Sequence, residues 1–520
     1  MNKIFINISE FLKTIKRFAF LYTAFFGVFF FECAVSEFHS MRVVNLIENI
    51  AFSCILFAVF ELLRHRVGLV WFQIVFYLLM IFAVVEGVYY LIFDAELSSS
   101  AIFIALDTNT SEASEFLNFN LNYSHILYTV GVLFSFVLSW RLLAPRGSEN
   151  QNTHMYIPIT IIVFGVFLLS KPKVYQYNFP YVLTNSFFEY ANEQKLLDDL
   201  NANESPFSGV VNMSDSENTH IVIIGESTSR LHFGLYGYKR NTTPKLEEIK
   251  DKIHLFQDVV SGHTYTIGSL VKALTIKKGD EYVGNIIQLF RQAGYTTYWL
   301  SNQPPIGIYE TLVTKIALSA DKTLFMNSEN YYALTPYDEI LLPELDKILQ
   351  NPSSQKIIFI HLMGNHAKYS FRYPTSFANY PTETKDDKQN TINHYDNAIL
   401  YNDLIVRSII DKANKSEIPT TVLYFSDHGE EVYDEIDFVG HPANGVFTKN
   451  MIEIPFLLWT KPERTYTKSY YERKFILNDL SHSLADLYEI YADEIDTTRS
   501  LIHKSYKERP RIVWDSIAID

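Results

Sequence analysis

Asp427 and His428 stand side by side where the apolar run TVLYF, residues 421–425, ends in Ser426. A carboxylate and an imidazole so placed suit a zinc or manganese ion. A strand-to-loop turn with a polar tip is the plainer alternative. Other apolar runs end in the same way. HIVII, residues 220–224, leads into Gly225-Glu226-Ser227-Thr228. KIIFIHLM, residues 356–363, leads into Gly364-Asn365-His366, and His441 follows Asp427-His428 in FVGHPANG. Any one of these residues alone reads as a polar strand cap. One glutamate, one aspartate and three histidines at comparable strand ends read as a metal site.

A hydrolytic or transfer site also needs a nucleophile. In QDVVSGHTYTIGSLVKALT, residues 257–275, DVV ends a strand and IGSLVKAL is helical, with apolar residues three and four apart. Thr264 or Thr266 then sits near a helix N-terminus, where free N–H groups and the helix dipole favour an anion. A hydroxyl made acidic there could attack phosphorus. Either threonine also suits a helix N-cap, and composition does not separate the two.

The elements that must carry these residues are short apolar strands alternating with helices. HIVIIGES, YTTYWLSNQ (295–303), KIIFIHLMGNH, TVLYFSDHG and IPFLLW (454–459) read as strands. GNIIQLFRQAG (284–294) and YDNAILYNDLIVRSIIDKA (395–413) read as helices. The alternation predicts a C-terminal α/β domain with a central, mostly parallel sheet covered by helices on both faces. Sites in such folds lie at the carboxyl ends of the strands.

The first third of the chain is different. Apolar stretches at 18–35, 49–63, 67–93, 125–143 and 155–170 predict a five-helix transmembrane domain over 1–171. Lys13, Lys16 and Arg17 precede the first, Arg64 and Arg66 follow the second, and Arg141 and Arg146 follow the fourth, whereas 94–124 has no Lys or Arg. That asymmetry places the N-terminus in the cytoplasm and the C-terminal domain outside, in the periplasm of a bacterium. Glu32, Glu61 and Glu86 lie in or near the spans; they are functional candidates by position, or interfacial residues near span ends. Residues 172–218 begin aromatic-rich, as an interfacial segment would, and end as an Asn/Ser/Asp-rich linker. The catalytic domain is expected over 219–520. Cys33 and Cys54 both lie in apolar runs, so the C-terminal domain has neither a disulfide nor a cysteine-based zinc finger. A net charge of −14 argues against nucleic acid as a partner.

IVIIGESTSRLHFGLYGYKRNTTPKL (221–246), VVSGHTYTIGSLVKALT, HLMGNHAKYSFRYP (361–374) and YFSDHGEEV together resemble the phosphoethanolamine transferases of Gram-negative bacteria, in the alkaline phosphatase and sulfatase superfamily. The resemblance covers essentially the whole chain, five spans included. It is nearer to the branch acting on the lipopolysaccharide core and related envelope acceptors than to the lipid A branch. It implies a sulfatase-like catalytic domain in the periplasm, on a multi-pass inner-membrane anchor. It implies one zinc ion, with a second admitted, held by Glu226, Thr266, Asp427 and His428, with Thr266 as the nucleophile. It implies that His366 and His441 hold the substrate phosphate or a second metal. DTNTSEA (107–113) resembles a donor-side loop of the family, which would place Thr108, Asn109 and Glu112 near the lipid. Lipid A-type members staple the soluble domain with disulfides, which this chain lacks, so the acceptor does not follow from that branch.

The expected reaction moves phosphoethanolamine from phosphatidylethanolamine to lipid A, a lipooligosaccharide core or a similar envelope acceptor, through a phosphothreonine-type intermediate. Polymyxin resistance is the phenotype such a lipid A modification implies. A phosphoglycerol transferase or sulfatase of the same superfamily is the nearest alternative. A non-catalytic, membrane-anchored sensor of envelope phosphates is the alternative of another class. Glu430 and Glu431, just beyond the Asp-His pair, are expected to be solvated.

Overall fold

The computed structural model describes residues 178–520, apart from 215, 304–311, 328–335, 352–354 and 443–445, and, in the N-terminal part, 68–93, 123–143, 156–171 and isolated positions. The chain divides into two compact units, one of residues 1–102 and 120–188, the other of 103–119 and 189–520.

In the first unit, α1 (Gly68–Phe93), α2 (Tyr123–Leu143) and α3 (Tyr156–Leu169) fall on three of the five apolar stretches. The other two stretches lie outside the described residues or are described only at isolated positions. Counting only described residues, no helix is long and apolar enough to cross a membrane. The full sequence of α1, however, has 26 residues with Glu86 as its one charged side chain. Glu86 is buried. Glu32, Glu61, Thr108, Asn109 and Glu112 lie outside the described residues.

Residues read as interface and linker contain α4 (Phe179–Ala202), and the division into units falls within it. The polar stretch after it is not a free linker. Val211–Asn212 pairs antiparallel with Ile490–Tyr491, and the side-chain amide of Asn212 donates to Gln355.

The second unit is built on a seven-stranded sheet. In chain order its strands are β1 (Asn218–Gly225), β2 (Ile253–Leu255), β3 (Thr296–Ser301), β4 (Lys322–Phe325), β5 (Gln355–His361), β6 (Thr420–Ser426) and β7 (Phe456–Lys461). Their spatial order is β2-β7-β6-β1-β5-β3-β4. The run β6-β1-β5-β3-β4 is parallel throughout. β7 pairs antiparallel with β6 and with β2, so the sheet is mixed. IPFLLW had no signal for this reversal, because direction is set by a connection and not by a strand's own composition.

Every residue of β1 is buried, as a strand covered on both faces requires. Its alternate residues face different layers. Ile221 and Ile223 share a core with Ile358, Ile360, Val422 and Tyr424, and with Ile399, Ile405, Val406 and Ile409 of the long helix α5 (Asp387–Asn414). That helix starts eight residues before the stretch read as helical, at an Asp386 N-cap accepting from the Gln389 N–H. DVV does form a strand, Asp258–Val260, but it pairs with Lys474–Ile476 outside the central sheet.

A candidate metal centre at the strand ends

The adjacent, parallel strands β1 and β6 bring their C-termini together, with Ser426 opposite Gly225. The next residues are therefore neighbours across the sheet, and the Asp427 N–H donates to the Gly225 carbonyl at 3.1 Å. Beyond Glu226 the chain turns through Ser227, a non-glycine residue at φ 53°. Such strain persists where the surroundings over-determine it. Here the Tyr395 hydroxyl donates to the Ser227 carbonyl and accepts from the Ser229 N–H. On the other side of β1 the loop after β5 passes against Glu226. The Asn365 N–H donates to the Glu226 carbonyl at 3.0 Å, and Gly364 sits at φ +51°. A Cβ on Gly364 would lie 2.9 Å from the Glu226 backbone, so this approach requires glycine. Gly429 is equally constrained, since a Cβ there would lie 2.0 Å from the Asn450 carbonyl.

The helix α6 (Thr266–Leu274; the nucleophile candidate is its first residue) completes the group. Ser269, one turn on, donates to the Asp427 carbonyl at 2.6 Å and fixes the helix against the end of β6. The Thr266 hydroxyl donates to Glu226 Oε2 at 3.1 Å and lies 3.5 Å from His428 Nε2. His428 Nε2 is 3.2 Å from Glu226 Oε1 and 3.5 Å from Asp427 Oδ2. Thr264 is not part of this cluster: its hydroxyl is buried and donates to the Pro442 carbonyl.

The donor set suits a cation. One ligand atom each from Glu226, Asp427 and His428 lie within 4.8 Å of one another, and all three residues are buried. Among the described residues Asp427 Oδ2 has no hydrogen-bond donor, an expensive omission for a buried carboxylate oxygen. His428 Nδ1 lies 2.7 Å from the Gly429 carbonyl, which can only accept. Nε2 is therefore the nitrogen aimed at the two carboxylates, as a metal-ligating imidazole held by a backbone carbonyl would be. The carboxylates crowd one another. Burial, reinforced by the Glu226 charge, pushes Asp427 up to about 8. Burial would raise Glu226 as well, but the hydrogen bond and charge of His428 hold it below the usual carboxylate range. Burial would lower His428, yet Asp427 and Glu226 hold it up at about 10. A divalent cation would relieve this imbalance directly.

His441 also arrives here, its ring centroid 4.2 Å from that of His428. His441, His428 and Glu430 form a second group of ligand atoms within 4.8 Å. Glu430 was expected in solvent; instead it is buried, accepts from the Tyr369 hydroxyl at 2.7 Å and places Oε2 3.7 Å from His441 Nε2. Burial pushes its carboxyl up to about 8. Glu431 is buried too, accepting from the Thr448 hydroxyl and from the backbone of Asp434 and Glu435. Both corrections have one cause: the chain turns back into the protein after the pair, through the short hairpin Glu431–Val432 with Val439–Gly440. The i, i+2 spacing of His428 and Glu430 was the available signal. His366 stands on the loop after β5, close enough to interact electrostatically with Glu226 and His428, and burial lowers it to about 4.

This sheet, with residue groups that could hold a metal ion at the carboxyl ends of its strands, defines the class. A family model described as Sulfatase matches residues 218–490. Phosphoethanolamine transferase EptC of Escherichia coli strain K12 is 31% identical over 467 residues, covering 81% of this chain and 80% of its own. Phosphoethanolamine transferase CptA of Salmonella typhimurium strain LT2 gives the same identity and coverage. The chain belongs to the sulfatase family and, within it, to the phosphoethanolamine transferases. Among solved structures, the C-terminal periplasmic domain of E. coli EptC in complex with Zn matches with a TM-score of 0.57 and 32% identity, covering 61% of this chain and 96% of that one. The integral membrane protein EptA from Neisseria meningitidis matches in fold with a TM-score of 0.67 at 18% identity, covering 94% of this chain and 97% of its own.

Proposed function

We propose that this protein transfers phosphoethanolamine from phosphatidylethanolamine to a lipopolysaccharide, lipid A or related envelope acceptor, with Thr266 as the covalent carrier. The observation that carries this reading is the convergence of Thr266 Oγ1, Glu226, Asp427 and His428 at one strand-end cluster. Relatives named for this activity, matched over four-fifths of their length, supply the substrate class.

In the first step the Thr266 oxygen attacks phosphorus in line, the phosphorus bond to the diacylglycerol oxygen breaks, and diacylglycerol leaves. The proton released from the Thr266 hydroxyl is relayed to the leaving oxygen, which departs as the diacylglycerol hydroxyl. In the second step an acceptor hydroxyl or phosphate oxygen displaces Thr266 from phosphorus, and the threonine hydroxyl is restored. The N-terminus of α6 presents N–H groups to the transferring phosphoryl oxygens. His366 and His441 bind those oxygens or relay the proton. Glu226, Thr266, Asp427 and His428 would hold zinc, which supplies Lewis acidity to lower the hydroxyl pKa and offset phosphoryl charge. The two carboxylates, the ligand imidazole and the Asp427 oxygen that lacks a donor among the described residues support that assignment, as does the zinc in the EptC domain.

The membrane domain over 1–171, the inner-membrane location and the periplasmic catalytic domain over 219–520 belong to the same proposal. A lipid donor requires a site kept within reach of the bilayer. The length and composition of α1 and the whole-chain fold likeness to EptA support it. Thr108, Asn109 and Glu112 are proposed on the donor side.

The test uses phosphatidylethanolamine labelled in its ethanolamine, offered to the purified full-length protein with lipopolysaccharide. Label should appear on the acceptor, and Thr266→Ala should abolish transfer. Transfer by Thr266→Ala at the wild-type rate would exclude the covalent mechanism.

A further inference from the structure

Thr264 and Thr266 are chemically alike, two residues apart, and compete in sequence as nucleophile candidates. The structure gives their hydroxyls different partners. Thr266 Oγ1 points at the carboxylate and imidazole cluster, while Thr264 Oγ1 donates to the Pro442 carbonyl at 2.5 Å and accepts from Trp514 Nε1 at 3.2 Å. Thr264 is fully buried, and both directions of its hydroxyl are used. Its three hydrogen-bonded segments are remote in sequence: the loop ahead of α6, the loop holding His441, and the C-terminal hairpin Ile512–Val513 with Ile517–Ala518.

That hairpin is shaped for the contact. Trp514 and Asp515 adopt consecutive positive φ angles of 51° and 58°. The Trp514 N–H donates to the Gly262 carbonyl at 3.0 Å, so backbone and indole both hold the 262–264 segment. The indole also packs edge-on against Phe447, on the far side of the His441 loop, at 5.0 Å. Val513, Met451 and Ile452 form the buried base of this contact, with Phe438 against it. The hairpin therefore holds the nucleophile loop and the His441 loop at once, and Thr264 is the hydrogen-bonding joint between them.

We infer that Thr264, seated by Trp514, is a positioning residue: it fixes Thr266 relative to His441 by tying the loop ahead of the nucleophile to the Pro442 carbonyl. The inference rests on the reading of Thr266 as nucleophile. It assigns to the C-terminal hairpin, far from the motif residues in sequence, a part in setting the geometry of transfer. A displacement of about 1 Å in a reacting group costs on the order of 100-fold in rate, so a lost tether of this kind reads out in the chemical step.

The experiment measures the single-turnover rate of Thr266 labelling by phosphatidylethanolamine in detergent micelles, using full-length protein loaded with zinc. Thr264→Val keeps the shape and removes the hydroxyl; Thr264→Ser restores it; Trp514→Phe keeps the ring and removes the N–H. Expected are a roughly 10- to 100-fold slower labelling in T264V, half-saturation by lipid and zinc content within about twofold of wild type, and recovery in T264S to within about threefold. W514F should lose about three- to tenfold, and it carries the test if T264V does not fold. Labelling of T264V at the wild-type rate, or T264S as slow as T264V, would overturn the inference. So would W514F at the wild-type rate in the case where T264V does not fold. Those results leave the Thr266 reading intact if wild-type Thr266 is still labelled. Absence of label on wild-type Thr266 would remove that reading and this inference with it.

Discussion

Thr266 Oγ1 and Glu226 Oε2 lie 3.1 Å apart, although 40 residues separate them in the chain. One is the first residue of a helix and the other follows the central strand of the sheet. Their contact requires Ser269 to seat the helix on the Asp427 carbonyl and Gly364 to let the neighbouring loop close on Glu226. The distance thus reports the assembly of three loops at one sheet edge.

The first prediction concerns the cluster itself. Asp427→Asn should lose bound zinc by elemental analysis and lose transfer by at least about 100-fold, the scale on which metal-activated nucleophiles depend on their ligand sets. Unchanged zinc content with lost activity would assign Asp427 another role.

Removal of zinc should also lower stability, because buried carboxylates are then left to repel one another. A chelator should lower the melting temperature of the catalytic domain, and added zinc should restore it. A ligand held at about 100 times its dissociation constant contributes about 2.7 kcal/mol by mass action. An unchanged melting temperature would show that the folded state gains nothing from the ion.

Gly364→Ala tests the close approach. A Cβ at φ +51°, 2.9 Å from the Glu226 backbone, must push that loop away. The expected cost is about 1–3 kcal/mol in denaturant unfolding, with transfer reduced more than tenfold. Full activity in this variant would mean that Glu226 tolerates a displaced neighbour.

A pH dependence follows from a different buried group. His232 lies between Asp396 and Asp434, at 2.7 and 2.8 Å. Burial alone would lower its pKa, but the two carboxylates raise it from 6.5 to about 9. Arg240 and the Tyr238 hydroxyl also contact Asp396. The folded value exceeds the unfolded one, so the stabilisation is complete below 6.5 and is lost as pH rises through about 9. A shift of this size corresponds to stability on the order of 3 kcal/mol. Unfolding free energies between pH 6 and 9.5 should fall in wild type and fall much less in His232→Gln. Parallel curves for the two proteins would contradict the assignment.

Much of the sheet was legible in the sequence. β1, β5 and β6 are continuous apolar runs ending in polar residues, and the same pattern that marks a strand buried on both faces marks where its site residues begin. β2 and β4, of three and four residues, carried no such signal, because short edge strands depend on their neighbours more than on composition. Glu430 and Glu431 were misplaced for a related reason. Their charge suggests solvent, and partners distant in sequence bury them: the Tyr369 hydroxyl on Glu430, the Thr448 hydroxyl on Glu431, and the returning hairpin at Val439–Gly440. The choice between Thr264 and Thr266 was beyond composition as well. It depends on which hydroxyl faces Glu226 and which meets Pro442 and Trp514, partners that lie up to 250 residues away.

The central claim is tested most directly by intact-mass and fragment-mass analysis of the zinc-loaded protein after incubation with phosphatidylethanolamine and no acceptor. A single phosphoethanolamine adduct on Thr266 is the predicted result, discharged when acceptor is added. A folded, zinc-bound protein that carries no adduct, or carries it on another residue, would contradict the account.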